Sequence, residues 1–138
     1  MVVDQQKTQP NSKLIAIVED DADLAILFHD MLQEAGYCRL HIFSDGQDAI
    51  KHLPQLGAHL ILLDVKLPNL DGVSLYKMLR GHSNTRQTPI IVITGSQDWE
   101  LHRMGLHSGI MLHKPFKMEQ LLFMIRALLP ENKGNLSP

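Results

Sequence analysis

The sequence predicts an α/β fold, a parallel sheet of five strands with helices packed on both of its faces. Two observations predict it. Short apolar runs alternate along the chain with stretches whose apolar residues recur at helical spacing, as repeated strand–helix units do. The apolar runs are also continuous rather than alternating in and out. Each strand is therefore expected to be covered on both faces, the condition of an all-parallel sheet.

The first run, Leu14-Ile15-Ala16-Ile17-Val18, ends in Glu19-Asp20-Asp21. Leu24, Leu27, Phe28, Met31, Leu32 and Ala35 then mark an amphipathic helix, with Asp21 as its N-cap and Gly36 as its stop. Cys38 to Phe43 is expected as a strand with Cys38 buried, and Gln47 to Leu53 as a short helix closed by Pro54. His59 to Leu63 is a second buried run, ending in Asp64. A loop containing Pro68 leads to a helix from about Gly72 to Arg80, with Val73, Tyr76 and Leu79 on one side. Ile90 to Ile93 ends in Thr94-Gly95-Ser96, and a weak helix follows around Trp99 to Leu106. Ile110 to His113 precedes Lys114-Pro115-Phe116, and a strong helix from Met118 to Leu129 stops at Pro130. Residues 13–130 thus form one domain between polar segments, 1–12 and 131–138, expected as flexible tails.

Composition narrows the function. With 44% hydrophobic and 20% charged residues in 138, the chain has globular composition and length for one core. Thirteen basic residues against fifteen acidic ones offer no basic excess for nucleic acid. The single Cys38 implies no internal disulfide, and the eight histidines are scattered without a ligand spacing. Without a signal-like start or a spanning apolar run, a cytoplasmic location and no membrane contact are the expectation.

The residues just beyond the apolar runs carry the chemistry. Glu19 and Asp20, Asp64, Thr94 and Lys114 would converge on one edge of the sheet, where open α/β sheets bind ligands. Three close carboxylates repel one another unless a cation intervenes, and Mg²⁺ suits hard oxygen donors. Lys114 adds a fixed positive charge, so the edge is expected to hold a phosphoryl group beside a carboxylate nucleophile, Asp64. The bland alternatives are an acidic turn capping a helix for Asp21 and a helix start for Asp71-Gly72. Trp99, the methionines and the histidines are most simply packing or surface residues.

In order and at near-family spacing, five motifs carry a resemblance. They are Ile17-Val18-Glu19-Asp20-Asp21, Leu62-Leu63-Asp64, Leu67 to Gly72, Pro89 to Gly95, and Lys114-Pro115-Phe116. Over roughly residues 13–129 the chain resembles the receiver domains of two-component response regulators. The resemblance implies a flavodoxin-like sheet of order 2-1-3-4-5, with Asp64 as phosphoacceptor and Thr94 and Lys114 acting on the phosphoryl group. It implies Mg²⁺ held by Asp20, Asp64, Glu19 through water and the Lys66 backbone carbonyl. It also implies a cis Lys114-Pro115 peptide, an isomer that X-Pro bonds adopt at small cost. The phosphoryl donor would be a phosphohistidine on a sensor histidine kinase or histidine phosphotransfer protein. Lys66 and Ser96 fall where the family tunes phosphate lifetime, and Lys66 points to a longer-lived one.

Two departures bear on output. The family's aromatic switch position, three before the lysine, holds Met111. The segment from Thr94 to Lys114 looks about two residues short, so the fourth helix is expected to be short or distorted, with Gly95, Gly105 and Gly109 lowering its propensity. The expected function is a Mg²⁺-dependent phosphoacceptor that catalyses its own phosphorylation and dephosphorylation and switches contacts with a downstream protein. A homodimer is a further possible association. The chain by itself is not expected to bind DNA, whether it stands alone or heads a longer regulator. The alternatives are a pseudo-receiver interaction module that needs no phosphate and, last, a haloacid-dehalogenase-like phosphatase, which would want an aspartate where Lys66 stands.

Overall fold

The computed structural model describes residues 11–130. In chain order they form β1 (Asn11–Val18), α1 (Ala22–Glu34), β2 (Tyr37–Phe43), α2 (Gly46–Leu56) and β3 (Leu60–Asp64). There follow α3 (Gly72–Gly81), β4 (Ile90–Thr94), α4 (Asp98–Arg103), β5 (Ile110–His113) and α5 (Met118–Leu128). All strands are parallel, in the order β2-β1-β3-β4-β5, so the flavodoxin-like expectation holds.

The continuous apolar runs are explained by two cores. Because side chains alternate across a strand, Ala16, Val18, Ile61, Leu63, Ile90 and Val92 pack on one face with Leu53, Leu75, Leu79 and Leu101. Ile15, Ile17, Leu60, Leu62, Ile91 and Ile93 pack on the other with Phe28, Leu32, Leu121 and Ile125. Every residue of β3 and β4 is buried. Each fully buried Leu or Ile contributes about 1.5–3 kcal/mol relative to exposure, which makes the central strands the rigid part of the platform.

Helix starts follow side-chain chemistry. The Asp21 carboxylate accepts from the Asp23 and Leu24 amides, Asp45 from Asp48, and Asp71 from Ser74, each satisfying amides that a helix leaves open.

Several expectations are corrected. Pro54 does not close α2 but lies inside it, and the stop is Gly57 at φ 75°, a left-handed residue that ends the helix without a Cβ clash. Cys38 is exposed, because β2 is an edge strand whose middle residues are covered less than those of β3. β1 begins at Asn11, inside the segment read as an N-terminal tail, since Asn11 pairs with Tyr37 across a register shift. The rest of that segment, 1–10, and the C-terminal segment 131–138 lie outside the described residues. His59 precedes β3, where its Nδ1 accepts the Leu14 amide at 3.0 Å and its own amide donates to the Leu14 carbonyl at 2.7 Å.

As expected, α4 is short, with six residues. The chain leaves it through Gly105 at φ 98° and reaches β5 through Gly109 at φ 128°. No helix among the described residues is long and apolar enough to cross a membrane.

Candidate functional site at the carboxyl edge of the sheet

Register assembles the site. Val18 pairs with Leu63, so Glu19 and Asp64, each one residue further on, end side by side. Asp64 pairs with Ile93, which sets Thr94 one step beyond, and Thr94 pairs with His113 just before Lys114. The Lys114 amide donates to the Thr94 carbonyl at 2.7 Å, and the Lys114–Pro115 bond is cis. Lys114 Nζ stands 4.0 Å from Asp64 Oδ1, an attraction across a gap rather than a close hydrogen bond.

Glu19, Asp64 and Thr94 are buried, and Asp20 is exposed. One ligand oxygen from each of Glu19, Asp20 and Asp64 lies within 4.8 Å of the others. This crowding has an electrostatic signature. Burial, then a hydrogen bond to Asp64 and the charge of Asp64, push the Glu19 carboxyl up to about 8 from 4.5, while the Asp21 amide and Lys114 pull the other way. A set of hard oxygens with more negative charge than the pocket neutralises fits a small divalent cation.

The backbone holds these side chains in place. The Lys66 amide donates to Asp64 Oδ1 at 3.2 Å, the Asp21 amide to Glu19 Oε2 at 3.2 Å, and the Glu19 amide to the Phe43 carbonyl at 3.0 Å. The Ser96 amide donates to Thr94 Oγ1 at 2.9 Å, which uses a lone pair and leaves the hydroxyl proton to be directed elsewhere. Lys66 is exposed. Met111 is half-buried against the core cluster beneath α2, α3 and α4.

Gly72 contributes more than the helix start read from the sequence. It is buried where a Cβ would collide with the Asp64 carbonyl oxygen and the Val65 backbone, and its amide donates to the Val65 carbonyl at 2.7 Å. Only glycine lets α3 approach the acidic strand end this closely. The sequence signal was the Asp-Gly pair shortly after Asp64, whose tertiary neighbour spacing alone did not reveal.

Comparison with known proteins agrees with this geometry. The family model for the response regulator receiver domain matches residues 15–126. The chain belongs to that family. Among relatives of the receiver, the transcriptional regulatory protein GltR of Pseudomonas aeruginosa is 37% identical over 121 residues, 86% of this chain and 50% of that protein. The DNA-binding response regulator MtrA of Mycobacterium tuberculosis is 33% identical over 120 residues, 86% of this chain and 51% of that protein. The chain spans about half the length of these regulators. Among solved receiver structures, that of the sensor histidine kinase PA1611 of Pseudomonas aeruginosa has a TM-score of 0.78 at 28% identity, covering 86% of this chain and 98% of that one. It carries a magnesium ion in its active-site cleft. The chemotaxis protein CheY4 of Vibrio cholerae has a TM-score of 0.75 at 26% identity, covering 86% and 99%.

Proposed function

We propose that this receiver takes a phosphoryl group onto Asp64 from a phosphohistidine on a sensor histidine kinase or histidine phosphotransfer protein. The observation that carries this reading is the burial of Asp64 beside Glu19 with Lys114 Nζ 4.0 Å away. A nucleophilic carboxylate, excess acid and a fixed cation share one pocket. An Asp64 carboxylate oxygen attacks phosphorus, the P–N bond to imidazole breaks, and the imidazole nitrogen keeps the electron pair. The Lys66 amide holds the carboxylate in position, and Lys114 faces the charge that arrives. Thr94 directs its hydroxyl proton to a phosphoryl oxygen once one is present.

Glu19, Asp20, Asp64 and the Lys66 carbonyl are the oxygens that would hold Mg²⁺. When bound, the ion supplies neutralisation of phosphoryl charge. Lys66 and Ser96 tune how fast the aspartyl phosphate hydrolyses, and Met111 occupies the position that senses it. The output is a changed contact with a downstream protein in the cytoplasm.

Acetyl phosphate with Mg²⁺ tests the reading. Intact mass is expected to show one added phosphoryl group, labile to hydroxylamine and absent from Asp64→Asn. An unmodified native protein, beside a control receiver that labels, sinks it. That outcome would favour the pseudo-receiver reading, for which the six-residue α4 and Met111 speak.

A further inference from the structure

The loop between β3 and α3 is held at its middle by the loop that enters α2. Asp45, the N-cap of α2, gives its two carboxylate oxygens to different partners. Oδ1 accepts the Asp48 amide at 2.7 Å, and Oδ2 accepts Asn69 Nδ2 at 3.1 Å. Asn69 is the one non-glycine residue with positive φ among the described residues, at 68°. The Leu70 amide donates back across it to the Pro68 carbonyl at 2.7 Å, closing a tight three-residue turn. The Gly46 amide donates to the same carbonyl at 3.4 Å, and a Cβ on Gly46 would collide with the Leu70 carbonyl. The two loops therefore touch backbone to backbone, and the Asp45–Asn69 bond links them through side chains.

We propose that Asp45 and Asn69 are positioning residues for the divalent ion, fixing the loop that presents the Lys66 carbonyl. The inference rests on the reading of Glu19, Asp20, Asp64 and that carbonyl as the oxygens that hold Mg²⁺. Glu19 and Asp64 are anchored by paired strands. A main-chain carbonyl beyond the end of β3 has no such anchor, so its orientation depends on what holds the loop. On the strand side the Lys66 amide donates to Asp64 Oδ1 at 3.2 Å, and further along Asn69 is tied to Asp45. Mg²⁺ demands near-ideal octahedral geometry, so a small shift of one oxygen weakens binding. The backbone at Asn69 explains why a latch is needed. A non-glycine residue in the left-handed region costs energy and persists where its surroundings over-determine it. Asp45 supplies that constraint. The segment bearing Asp45 is itself tied to the site, because the Phe43 carbonyl accepts the Glu19 amide at 3.0 Å. The latch thus joins the segment beside Glu19 to the segment beyond Asp64, closing a ring of contacts around the ion pocket.

The test is calorimetric titration of the full chain with Mg²⁺, beside thermal melts in chelator. Asn69→Gly accepts the positive φ and removes only the side-chain donor, and it is expected to weaken Mg²⁺ binding about tenfold. Asp45→Asn, which keeps a capping oxygen but turns an amide toward Asn69, is expected to weaken it likewise. Combining Asp45→Asn with Asn69→Asp restores donor and acceptor at unchanged total charge and should recover most of the affinity. Asn84→Ala removes a similar bond, from Asn84 Nδ2 to the Pro54 carbonyl at 2.9 Å, and should bind Mg²⁺ as the native chain does. Native affinity in Asn69→Gly, or no recovery in the exchanged pair, would overturn the proposal and leave an exposed helix-cap contact. A lower melting temperature in chelator with unchanged Mg²⁺ affinity would do the same. Binding by the native chain that is lost in Asp20→Asn supports the underlying ion site separately, and no binding by the native chain overturns both readings.

Discussion

Glu19 shows how a single residue reports on the charge of its site. Its folded pKa near 8 exceeds the ordinary 4.5, so the metal-free native state binds a proton between those values that the unfolded state does not. Its contribution to stability is therefore present at low pH and lost as pH rises toward 8. In chelator, urea unfolding should show the native chain losing stability from pH 5 to pH 8 relative to Glu19→Gln, which keeps the shape and removes the charge. Parallel curves for the two proteins would contradict this assignment. Gly72 makes the complementary point about space. Gly72→Ala should cost about 1–3 kcal/mol by overpacking and shift the Asp64 backbone, read as a lower urea midpoint. An unchanged midpoint would mean that α3 is free to move away.

At the scale of elements, His59 joins the start of β3 to β1. Its Nδ1 accepts the Leu14 amide, a role that only the neutral ring can fill. Partial desolvation, then the charges of Lys13 and Arg39, hold its pKa below 6.5. The unfolded chain thus binds the proton more readily. The stability contributed by this joint is complete above pH 6.5 and is lost as pH falls through the lowered folded value. His59→Ala should flatten that part of the stability profile, measured by thermal melts from pH 7.5 to 5. A profile parallel to the native one would remove the joint from the account. The helix elements behave differently, since their ends are set by local chemistry such as the Asp71 cap and the Gly57 stop.

For the whole molecule, the acidic cluster sits at the carboxyl ends of two neighbouring strands, β1 and β3, of one rigid, doubly covered sheet. A cation that binds only this folded arrangement stabilises it by mass action. Mg²⁺ at about a hundredfold over its dissociation constant should add about 2.7 kcal/mol to unfolding. Asp20→Asn, at an exposed position, should leave the chelator-treated protein folded and sharply reduce that increment. Equal Mg²⁺ stabilisation of both proteins, followed by calorimetry, would place the ion elsewhere.

Local patterns in the sequence determined much of this protein. Continuous apolar runs, helical periodicity and Asp caps are read over a few residues, and they sufficed for the element order and for Glu19, Asp20, Asp64, Thr94 and Lys114 at strand ends. Short-range signals also misled in places. Pro54 is tolerated within α2, and Cys38 is exposed because strand position in the sheet, not composition, decides coverage. Tertiary structure alone decided the register that sets Glu19 against Asp64, the approach of Gly72 to the Asp64 carbonyl, and the meeting of Asp45 with Asn69. Each depends on strand pairing or on a backbone turn that brings separated residues together. Distances of this kind are set by packing of the whole chain, which local periodicity does not encode.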